Sequence, residues 1–417
     1  MADRYDVVVV GSGPAGCTAA IVLGRAGLRV ALLEAHRDPQ AYKRLCTHFI
    51  QSSALPTLAR LGLDTAIEQA GGVRNRGYAW SRYGWIAEPE PTSRPSHGYN
   101  LRREVLDPMM RSAAAAVPGV ELVLGAKVHG LTRGPDGRVD SVVADVAGAR
   151  REFACALVIG ADGRSSKTAE LAGLPGKDLP NGRFAYFASF RNVTIPDGRP
   201  SQMWLLDPDV VYAFGNEDGV TVLATMPGKG RLADFAADRE AALLRAFEGL
   251  PDGPDLSAAE RISDVVGTRD YPSVTRKRIT APGVALVGDA ALVADPLWGL
   301  GCGWAVQSAG RLGDAVADSL ASGDAAAIDA AARKYARRHR RRLHPHQRLA
   351  VDFSSGRSFN RLERLLFAGA VQDPWVADRF FAYGTRNSSP AVLLSPRMLL
   401  RAARARRRSP AGAGSVR

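Results

Sequence analysis

Three glycines near the start of the chain have a spacing that suits phosphate binding. Gly11, Gly13 and Gly16 follow the pattern G-x-G-x-x-G, with Pro14 and Ala15 between the last two. The first glycine permits a tight turn, the second lets the backbone approach a pyrophosphate, and the third lets a helix pack closely on a strand. The helix N-terminus would then point unpaired N–H groups at the phosphates. The pattern predicts a dinucleotide-binding turn.

An acidic residue stands where a dinucleotide's ribose would be expected. Glu34 ends the apolar stretch that follows the glycine-rich helix. A carboxylate there accepts hydrogen bonds from both hydroxyls of an adenosine ribose, which argues against a 2′-phosphate. The alternative is a strand-to-helix turn that binds nothing.

Two later turns also place an acidic residue directly after a buried strand. Asp162 follows the run Ala156–Gly160, and Asp289 follows Gly288 at the end of another apolar run. Open α/β sheets bind their ligands at the carboxyl ends of the strands. The turn beyond Asp289 contains Gly299, Gly301 and Gly303, whose backbone N–H groups can approach a ligand closely.

A basic loop after Glu34 is placed to reach back over a bound dinucleotide. Arg44 is the candidate for a phosphate contact, with an exposed loop arginine as the alternative. His48 faces the active site or serves as a hydrogen-bonded structural residue, and the second outcome is the more common one. An arginine in the segment Leu101–Leu106, at the start of a predicted helix, is also well placed for a phosphate.

The elements that position these residues predict an α/β fold with a Rossmann-type nucleotide-binding domain. The run Val7–Val10 reads as the central parallel strand of a doubly wound sheet. Between 180 and 275 the pattern changes to alternating strands, which predicts an inserted, mainly antiparallel sheet and one helix at 233–249. After 304 the chain reads as helical, with breaks near Gly356, Pro374 and Pro390.

These patterns divide the chain into four predicted parts: 1–179 for nucleotide binding, with wall strands near 73–105; 180–275 for the substrate-facing sheet; 276–325 for the third turn; and 326–417 for a helical region with a basic tail. The segment 53–70 is predicted to be one helix. Five aromatic residues could line a pocket for a flat substrate or serve as sheet packing: Tyr78, Trp80, Tyr83, Trp85 and Tyr99.

Composition narrows the class of protein. The 417 residues carry a formal net charge of +13, much of it in arginine clusters after 333. No nucleic-acid fold accompanies these clusters, so a solvated helix face and a tail are favoured over nucleic-acid binding. No apolar run approaches the roughly 18 residues of a membrane span, and a first strand that begins at residue 5 is expected to leave no room for a signal peptide. A cytoplasmic protein is expected. The four cysteines lack metal-binding spacing, which predicts free thiols and no metal site.

Taken together, the three turns resemble those of the FAD-dependent monooxygenases of the p-hydroxybenzoate hydroxylase-like fold. The resemblance covers roughly residues 5–320 and is carried by Gly11–Gly16 with Glu34, by Gly160–Ser165, and by Gly288–Ala291 with Pro296 and the glycines beyond. It implies that Asp289 contacts the flavin ribityl chain and that Asp162 supports the site where FAD and NAD(P)H are handled. It also implies that Arg44 and Arg103 contact FAD, and that the backbone from Pro296 to Gly303 flanks the isoalloxazine.

The chain departs from that family at several positions. Leu292 stands where a histidine is usual, and the last turn reads Gly-Leu-Gly-Cys-Gly. The tryptophan motif of flavin-dependent halogenases is absent. The segment 211–219 loosely resembles one in prenyl reductases of this fold, without its proline. Cys302, beside the expected flavin, suggests a redox thiol, but a small buried hydrophobic residue is favoured because no partner cysteine is near in sequence.

The resemblance predicts an FAD-dependent monooxygenase acting on an aromatic or polyketide-type small molecule, in bacterial secondary metabolism. The Gly299–Gly303 backbone would stabilise developing negative charge. Electrons would come from NADH or NADPH, or from a partner flavin reductase, and O₂ would be the co-substrate. The alternatives are a reductase of the geranylgeranyl-reductase branch, a halogenase-like enzyme, and a non-catalytic flavin-fold binding protein.

Overall fold

The computed structural model describes residues 3–90, 97–196 and 199–407. Its strands are β1 (Asp3–Val10), β2 (Val30–Glu34), β3 (Phe49–Ile50), β4 (Val73–Asn75), β5 (Tyr78–Ser81), β6 (Gly84–Ala87), β7 (Gly98–Asn100), β8 (Val120–Leu124), β9 (Ala126–Arg133), β10 (Val139–Val146), β11 (Ala149–Gly160), β12 (Gly176–Leu179), β13 (Ala185–Arg191), β14 (Ser201–Leu205), β15 (Val210–Gly215), β16 (Thr221–Met226), β17 (Glu260–Arg261), β18 (Val266–Thr268), β19 (Ser273–Arg276), β20 (Thr280–Ala281) and β21 (Val284–Leu286). Its α-helices are α1 (Pro14–Arg25), α2 (Leu55–Arg60), α3 (Leu63–Gln69), α4 (Arg103–Ala115), α5 (Lys167–Leu171), α6 (Leu232–Ala237), α7 (Arg239–Arg245), α8 (Leu300–Ser322), α9 (Ala325–Ser354), α10 (Arg361–Gln372), α11 (Pro374–Gly384) and α12 (Pro396–Arg406).

The first sheet has a parallel centre in the order β21-β11-β1-β2-β8. Val8 pairs with Val158 of β11 on one side and with Ala31 of β2 on the other, and all three side chains are fully buried. Four β-branched residues in succession therefore form the central strand, as predicted, because both faces of a parallel sheet are covered. Helix α1 packs against α4 and α8.

The second sheet is mainly antiparallel, in the order β17-β13-β16-β15-β14-β5-β6. Its central strands β13 to β16 come from the segment predicted to form this sheet. Strands β5 and β6 come from earlier in the chain and extend the sheet through a parallel pairing of β5 with β14. One face packs against the C-terminal helices, where Tyr212 and Met226 meet Phe367 and Met398 in one core. The predicted fold class is confirmed, while the predicted domain boundaries stay a prediction.

Two predicted helices are interrupted. The segment 53–70 contains α2 and α3, because Gly62 between them adopts a φ of +68°, which a helix cannot continue through. The segment 233–249 contains α6 and α7, because Asp238 is extended and its carboxylate accepts a hydrogen bond from Ala241 N at 3.0 Å, which starts a new helix. Both one-helix predictions were wrong.

The C-terminal region is helical with the expected breaks. Helix α9 ends just before Gly356, α11 begins at Pro374, and a short 3₁₀ turn begins at Pro390. The arginine cluster of α9 lies on its solvent-exposed side, as Arg333, Arg337 and Arg341 show. Of the predicted basic tail, Arg401–Arg408, the part up to Arg406 lies in α12, and Arg408 lies outside the described residues. Within the described ranges, no helix combines the length and apolar character that crossing a membrane requires.

Candidate active site

A cavity of about 810 Å³ opens at the carboxyl ends of the parallel strands. Its wall contains twelve of the sixteen residues that the sequence marked as candidates: Gly11, Gly13, Pro14, Ala15, Glu34, Arg103, Asp162, Asp289, Pro296, Gly299, Gly301 and Cys302. The three separated turns therefore meet around one space. Gly16, Gly288 and Gly303 lie behind this wall, in the packing that supports it, and Arg44 lies elsewhere.

The three glycines of the first turn differ in what surrounds them. Gly11 has a φ of +100°, which favours glycine. A Cβ on Gly16 would lie 1.7 Å from the carbonyl oxygen of Gly11, so this position admits no side chain. A Cβ on Gly13 would meet nothing within 4 Å. Gly11 and Gly16 thus shape the turn, whereas Gly13 faces open space in the cavity.

Glu34 is held at the cavity wall by a network that includes Arg111. Its carboxylate accepts hydrogen bonds from Ser12 N at 3.1 Å, Ser12 Oγ at 2.5 Å and His36 N at 2.9 Å. Burial acts to raise the pKa of Glu34, but the hydrogen bonds from His36 and Ser12 and the charge of Arg111 lower it below its ordinary value. Arg111 Nε donates to Ser12 Oγ at 2.9 Å. Glu34 is therefore an ionised acceptor in a fixed position.

Asp289 and Asp162, the acidic residues of the two later turns, have different contacts. Asp289 Oδ2 lies 3.1 Å from Lys43 Nζ, so that the loop after β2 is tied to the third turn across the cavity. Asp162 accepts hydrogen bonds from Ser166 Oγ, Thr168 N and Thr168 Oγ1 at 2.5 to 2.9 Å. Both of its oxygens thus stabilise the turn before α5. Asp289 therefore forms an ion pair within the cavity wall, whereas Asp162 stabilises the backbone turn that forms part of that wall.

The turn that begins at Pro296 is supported from below by a buried carboxylate. Asp295 is 2% exposed and accepts a hydrogen bond from Leu297 N at 2.8 Å, besides one from Asn181. Burial raises the pKa of Asp295 to about 6 against these bonds and the nearby Arg183 charge. Gly299 follows with a φ of +59° and caps helix α8. The first N–H groups of α8 are therefore presented at the cavity.

The buried guanidinium of Arg103 lies against this turn. Asp107 accepts hydrogen bonds from Arg103 Nε at 2.7 Å and Nη2 at 2.8 Å, and Arg103 Nη1 lies 3.8 Å from Cys302 Sγ. His48 Nδ1 accepts a hydrogen bond from Arg103 N at 2.9 Å, and burial lowers the pKa of His48. His48 is therefore a structural residue at the start of α4, the second of the two outcomes considered for it.

Arg44 and the five aromatic residues lie outside the main cavity. Arg44 is exposed and borders a second cavity of about 520 Å³ with Tyr42, His48 and Arg261. Its predicted FAD contact stays a prediction. Tyr78 stacks on Trp85 at 4.2 Å, and Trp85 contacts Trp204, so these rings pack on the second sheet. Of the two interpretations, sheet packing holds for Tyr78, Trp80 and Trp85, which lie in the paired strands β5 and β6.

Several residues of the cavity wall were not identified as candidates from the sequence. The cavity wall also contains Lys43, Cys46, Arg111, Lys127 and Tyr271. Lys43 adjoins Arg44, so the basic loop was a usable signal for a cation there. Arg111 lies two turns inside α4, where nothing in the local pattern distinguishes it from a solvated arginine.

The donor set fits an FAD molecule. Glycine backbone around Gly13 leaves room for a pyrophosphate, and Lys43, Arg103 and Arg111 supply cations in the same wall. Glu34 supplies a carboxylate at the end of β2, and Asp289 lies at the third turn. Within the described residues, no group of three or more histidine, cysteine or acidic side chains could hold a metal ion.

Part of the cavity wall is apolar. It is lined by Leu45 and Phe49 from the loop region after β2 and by Ala185, Phe187 and Met226 from the second sheet. Phe49 packs on Phe214 with ring centroids 5.2 Å apart. The cavity thus combines charged and glycine residues with hydrophobic ones, and the turn that begins at Pro296 contributes to the same wall.

Comparison with known proteins agrees with this geometry. Residues 4–345 match the family described as FAD binding domain. The chain is 31% identical over 339 residues to menaquinone reductase of Mycolicibacterium smegmatis, covering 75% of this chain and 76% of that one. It is 28% identical to 6-methylpretetramide 4-monooxygenase of Streptomyces rimosus, over 73% of both chains. The structure of the flavin-dependent brominase Bmp2 superposes with a TM-score of 0.77 at 19% identity, covering 94% of this chain and 97% of that one, which is a likeness of fold.

Proposed function

The chain belongs to the FAD binding domain family and is an FAD-dependent oxidoreductase, and on that premise we propose that it is a monooxygenase that transfers one oxygen atom of O₂ to an aromatic or polyketide-type small molecule. The FAD-binding fold that the three turns at Gly11, Gly160 and Gly288 predicted is confirmed. The observation that carries the proposed reaction is that charged and glycine residues, hydrophobic residues and the turn that begins at Pro296 all line one cavity.

The charged wall would hold FAD. Gly13 would admit the pyrophosphate, with Lys43 and Arg103 as counter-charges, and Glu34 would accept the hydroxyls of the adenosine ribose. Arg44, which was also predicted to contact FAD, would reach the dinucleotide only by movement of its exposed loop. Bound FAD would supply the redox chemistry.

The turn Pro296–Gly303 would stabilise negative charge that develops at the reacting centre. The free N–H groups at the start of α8, around Gly301 and Cys302, present a positive potential to the cavity. Arg103 adds a full positive charge beside Cys302. Donors fixed in advance by a helix terminus stabilise developing negative charge without reorganising.

The hydrophobic wall would position the substrate and exclude water. Phe49 and Phe187 offer aromatic faces to a flat molecule, and Met226 adapts to irregular shapes. Water exclusion matters because oxygen transfer competes with unproductive release of reduced oxygen. Electrons are proposed to arrive from NADH or NADPH, or from a partner flavin reductase.

An isotope experiment tests the proposal. The FAD-loaded protein is reduced with NADH or NADPH and mixed with ¹⁸O₂ and a panel of hydroxylated naphthalenes and anthracenes. A product that carries one ¹⁸O atom is expected. Reoxidation of the flavin with no labelled product from any compound, and with all reduced oxygen recovered as peroxide, would contradict oxygen transfer to this class of substrate.

A second candidate is reduction of a quinone-type or prenylated substrate. It is favoured by the 31% identity to a menaquinone reductase over three quarters of both chains. The same cavity would then bring the substrate's double bond, rather than an electron-rich ring carbon, against the turn Pro296–Gly303. Turnover of menaquinone with NADH or NADPH under nitrogen, giving a product that stays two mass units heavier after reoxidation of its quinol ring in air, would assign reduction of a double bond and exclude a requirement for O₂.

A further inference from the structure

Two thiols that are far apart in the sequence meet in the cavity wall. Cys46 lies in the loop after β2, and Cys302 is the third residue of α8. Both line the main cavity, and their side chains interact through a hydrogen bond. Neither is in a disulfide. The interpretation of Cys302 as a small hydrophobic residue rested on the lack of a neighbouring cysteine, and the fold supplies that neighbour.

Positive charge and hydrogen-bond donors surround the pair. Arg103 Nη1 lies 3.8 Å from Cys302 Sγ, and His48 N donates to Cys46 Sγ at 3.3 Å. The Cys302 hydrogen bond, and the charges of Arg103 and Lys43, lower the pKa of Cys46 well below its ordinary value against the effect of burial. The same hydrogen bond, together with burial, raises the pKa of Cys302. Cys46 is therefore the more acidic of the two thiols.

The other two cysteines provide an internal comparison. Cys17 in α1 and Cys155 in β11 are buried outside the cavity wall. Burial raises the pKa of both thiols, to about 12 for Cys155. Thiolates, not thiols, react with oxidants. The environment thus separates one reactive pair from two inert thiols in the same chain.

We propose that Cys46 and Cys302 form a redox-active dithiol site that peroxides convert to a disulfide. The Cys46 thiolate attacks the O–O bond of hydrogen peroxide, becomes a sulfenic acid and releases hydroxide, which takes up a proton to give water. The Cys302 sulfur then attacks the Cys46 sulfur, the S–S bond forms, and the sulfenic oxygen leaves as a second water. Two electrons pass from the two sulfurs to the peroxide, and an external dithiol reverses the change.

The disulfide would fasten the loop after β2 to the first turn of α8. The sulfurs must close from hydrogen-bonding contact to about 2.05 Å, and the irregular loop that carries Cys46 can supply that movement. Lys43 and Cys46 belong to this loop, so oxidation would act on the wall that faces Asp289. Peroxide formed in the cavity by incomplete oxygen transfer would be one source of oxidant, and only this source rests on the proposed function.

Thiol counting with added peroxide tests the site without turnover. FAD-loaded protein is reduced with dithiothreitol, desalted, treated with hydrogen peroxide at about one equivalent, and denatured in N-ethylmaleimide. The four maleimide adducts of the reduced chain are expected to fall to two. A tryptic digest is expected to contain the segments 45–60 and 279–311 joined by a disulfide, and dithiothreitol should restore four adducts.

Variants and their outcomes complete the test. C46S should keep all three remaining adducts, C302S should fall from three to two because its Cys46 stops at the sulfenic acid, and the matched control C155A should fall from three to one. Four adducts in the treated wild type, or a Cys46 sulfinic acid with no joined peptide, would overturn the proposal, as would a disulfide that includes Cys17 or Cys155. The wild-type peptide map decides the question even if a cysteine variant fails to fold.

Discussion

Lys43 Nζ lies 3.1 Å from Asp289 Oδ2, although the two residues are 246 positions apart in the chain. The ion pair joins the loop after β2 to the third turn. It therefore holds together two walls that come from opposite ends of the cofactor-binding part of the chain.

Removing this pair should weaken FAD binding. In K43Q and D289N the wall loses one charge-assisted contact, so the Kd for FAD should rise about tenfold, equivalent to about 1.4 kcal/mol. Fluorescence titration of the apoprotein with FAD measures it. The double variant should bind little worse than either single variant, because both lose the same interaction. K229Q, which breaks the exposed pair of Lys229 with Asp270, is the control and should leave the Kd unchanged. An unaltered Kd in K43Q would show that the pair does not organise the site.

The glycines of the first turn should separate folding from binding. G13A should keep the thermal stability of the apoprotein, because nothing lies within 4 Å of the added Cβ, but should weaken FAD binding at least tenfold by occupying the phosphate space. G16A should fail to fold, because its Cβ would lie 1.7 Å from a carbonyl oxygen. Thermal melts and FAD titrations of both variants check this. A G13A protein that binds FAD normally would place the pyrophosphate elsewhere.

Glu34 should discriminate between FAD and FMN. E34Q keeps the shape of the side chain but removes the charge that would accept the adenosine ribose hydroxyls. The Kd for FAD should rise about tenfold, whereas the Kd for FMN, which lacks that ribose, should not change. Equal weakening of both would mean that Glu34 acts only through Ser12, which donates two hydrogen bonds to it.

Acid should destabilise the protein through a buried histidine on α9. His339 is 3% exposed, and its Nδ1 has no hydrogen-bond partner among the described residues. Burial lowers its pKa to about 3 from an ordinary 6.5. The unfolded chain therefore binds a proton that the folded chain rejects, and stability falls as the pH drops from 6.5 towards 3. At pH 5 the loss from this residue is about 2 kcal/mol.

The variant H339L isolates that contribution. Urea unfolding at pH 7 and pH 5 should give a free-energy difference about 2 kcal/mol smaller in H339L than in the wild type. R341Q, which changes an exposed residue of the same helix, should retain the wild-type difference. Equal pH dependence in H339L and the wild type would show that His339 is accessible to protons in the folded state.

The sequence could predict the parts of this fold that are determined by residues close together in the chain. The valines of β1, the glycines that follow and the acidic residue after β11 each carry a signal within a few positions, and they meet as expected. Where one residue decided a boundary, as Gly62 and Asp238 do, the helical pattern around it was misleading because it continues on both sides.

The rest of the site depends on pairings across hundreds of positions. Nothing near Lys43 identifies Asp289 as its partner, and nothing near Cys302 identifies Cys46. The sequence left two interpretations open for the aromatic residues around Trp85, a pocket and sheet packing. It could not decide between them because their partner Trp204 lies in β14, more than a hundred residues later.

The late position of β21 and α8 in the chain has a consequence for biosynthesis. A ribosome delivers the glycine turn almost at once, yet Asp289 and the start of α8 emerge only after the whole second sheet. Pairings of such long separation form slowly. During translation β11 therefore lacks β21 as its neighbour until most of the chain has been made. The cofactor cavity can close only after that point.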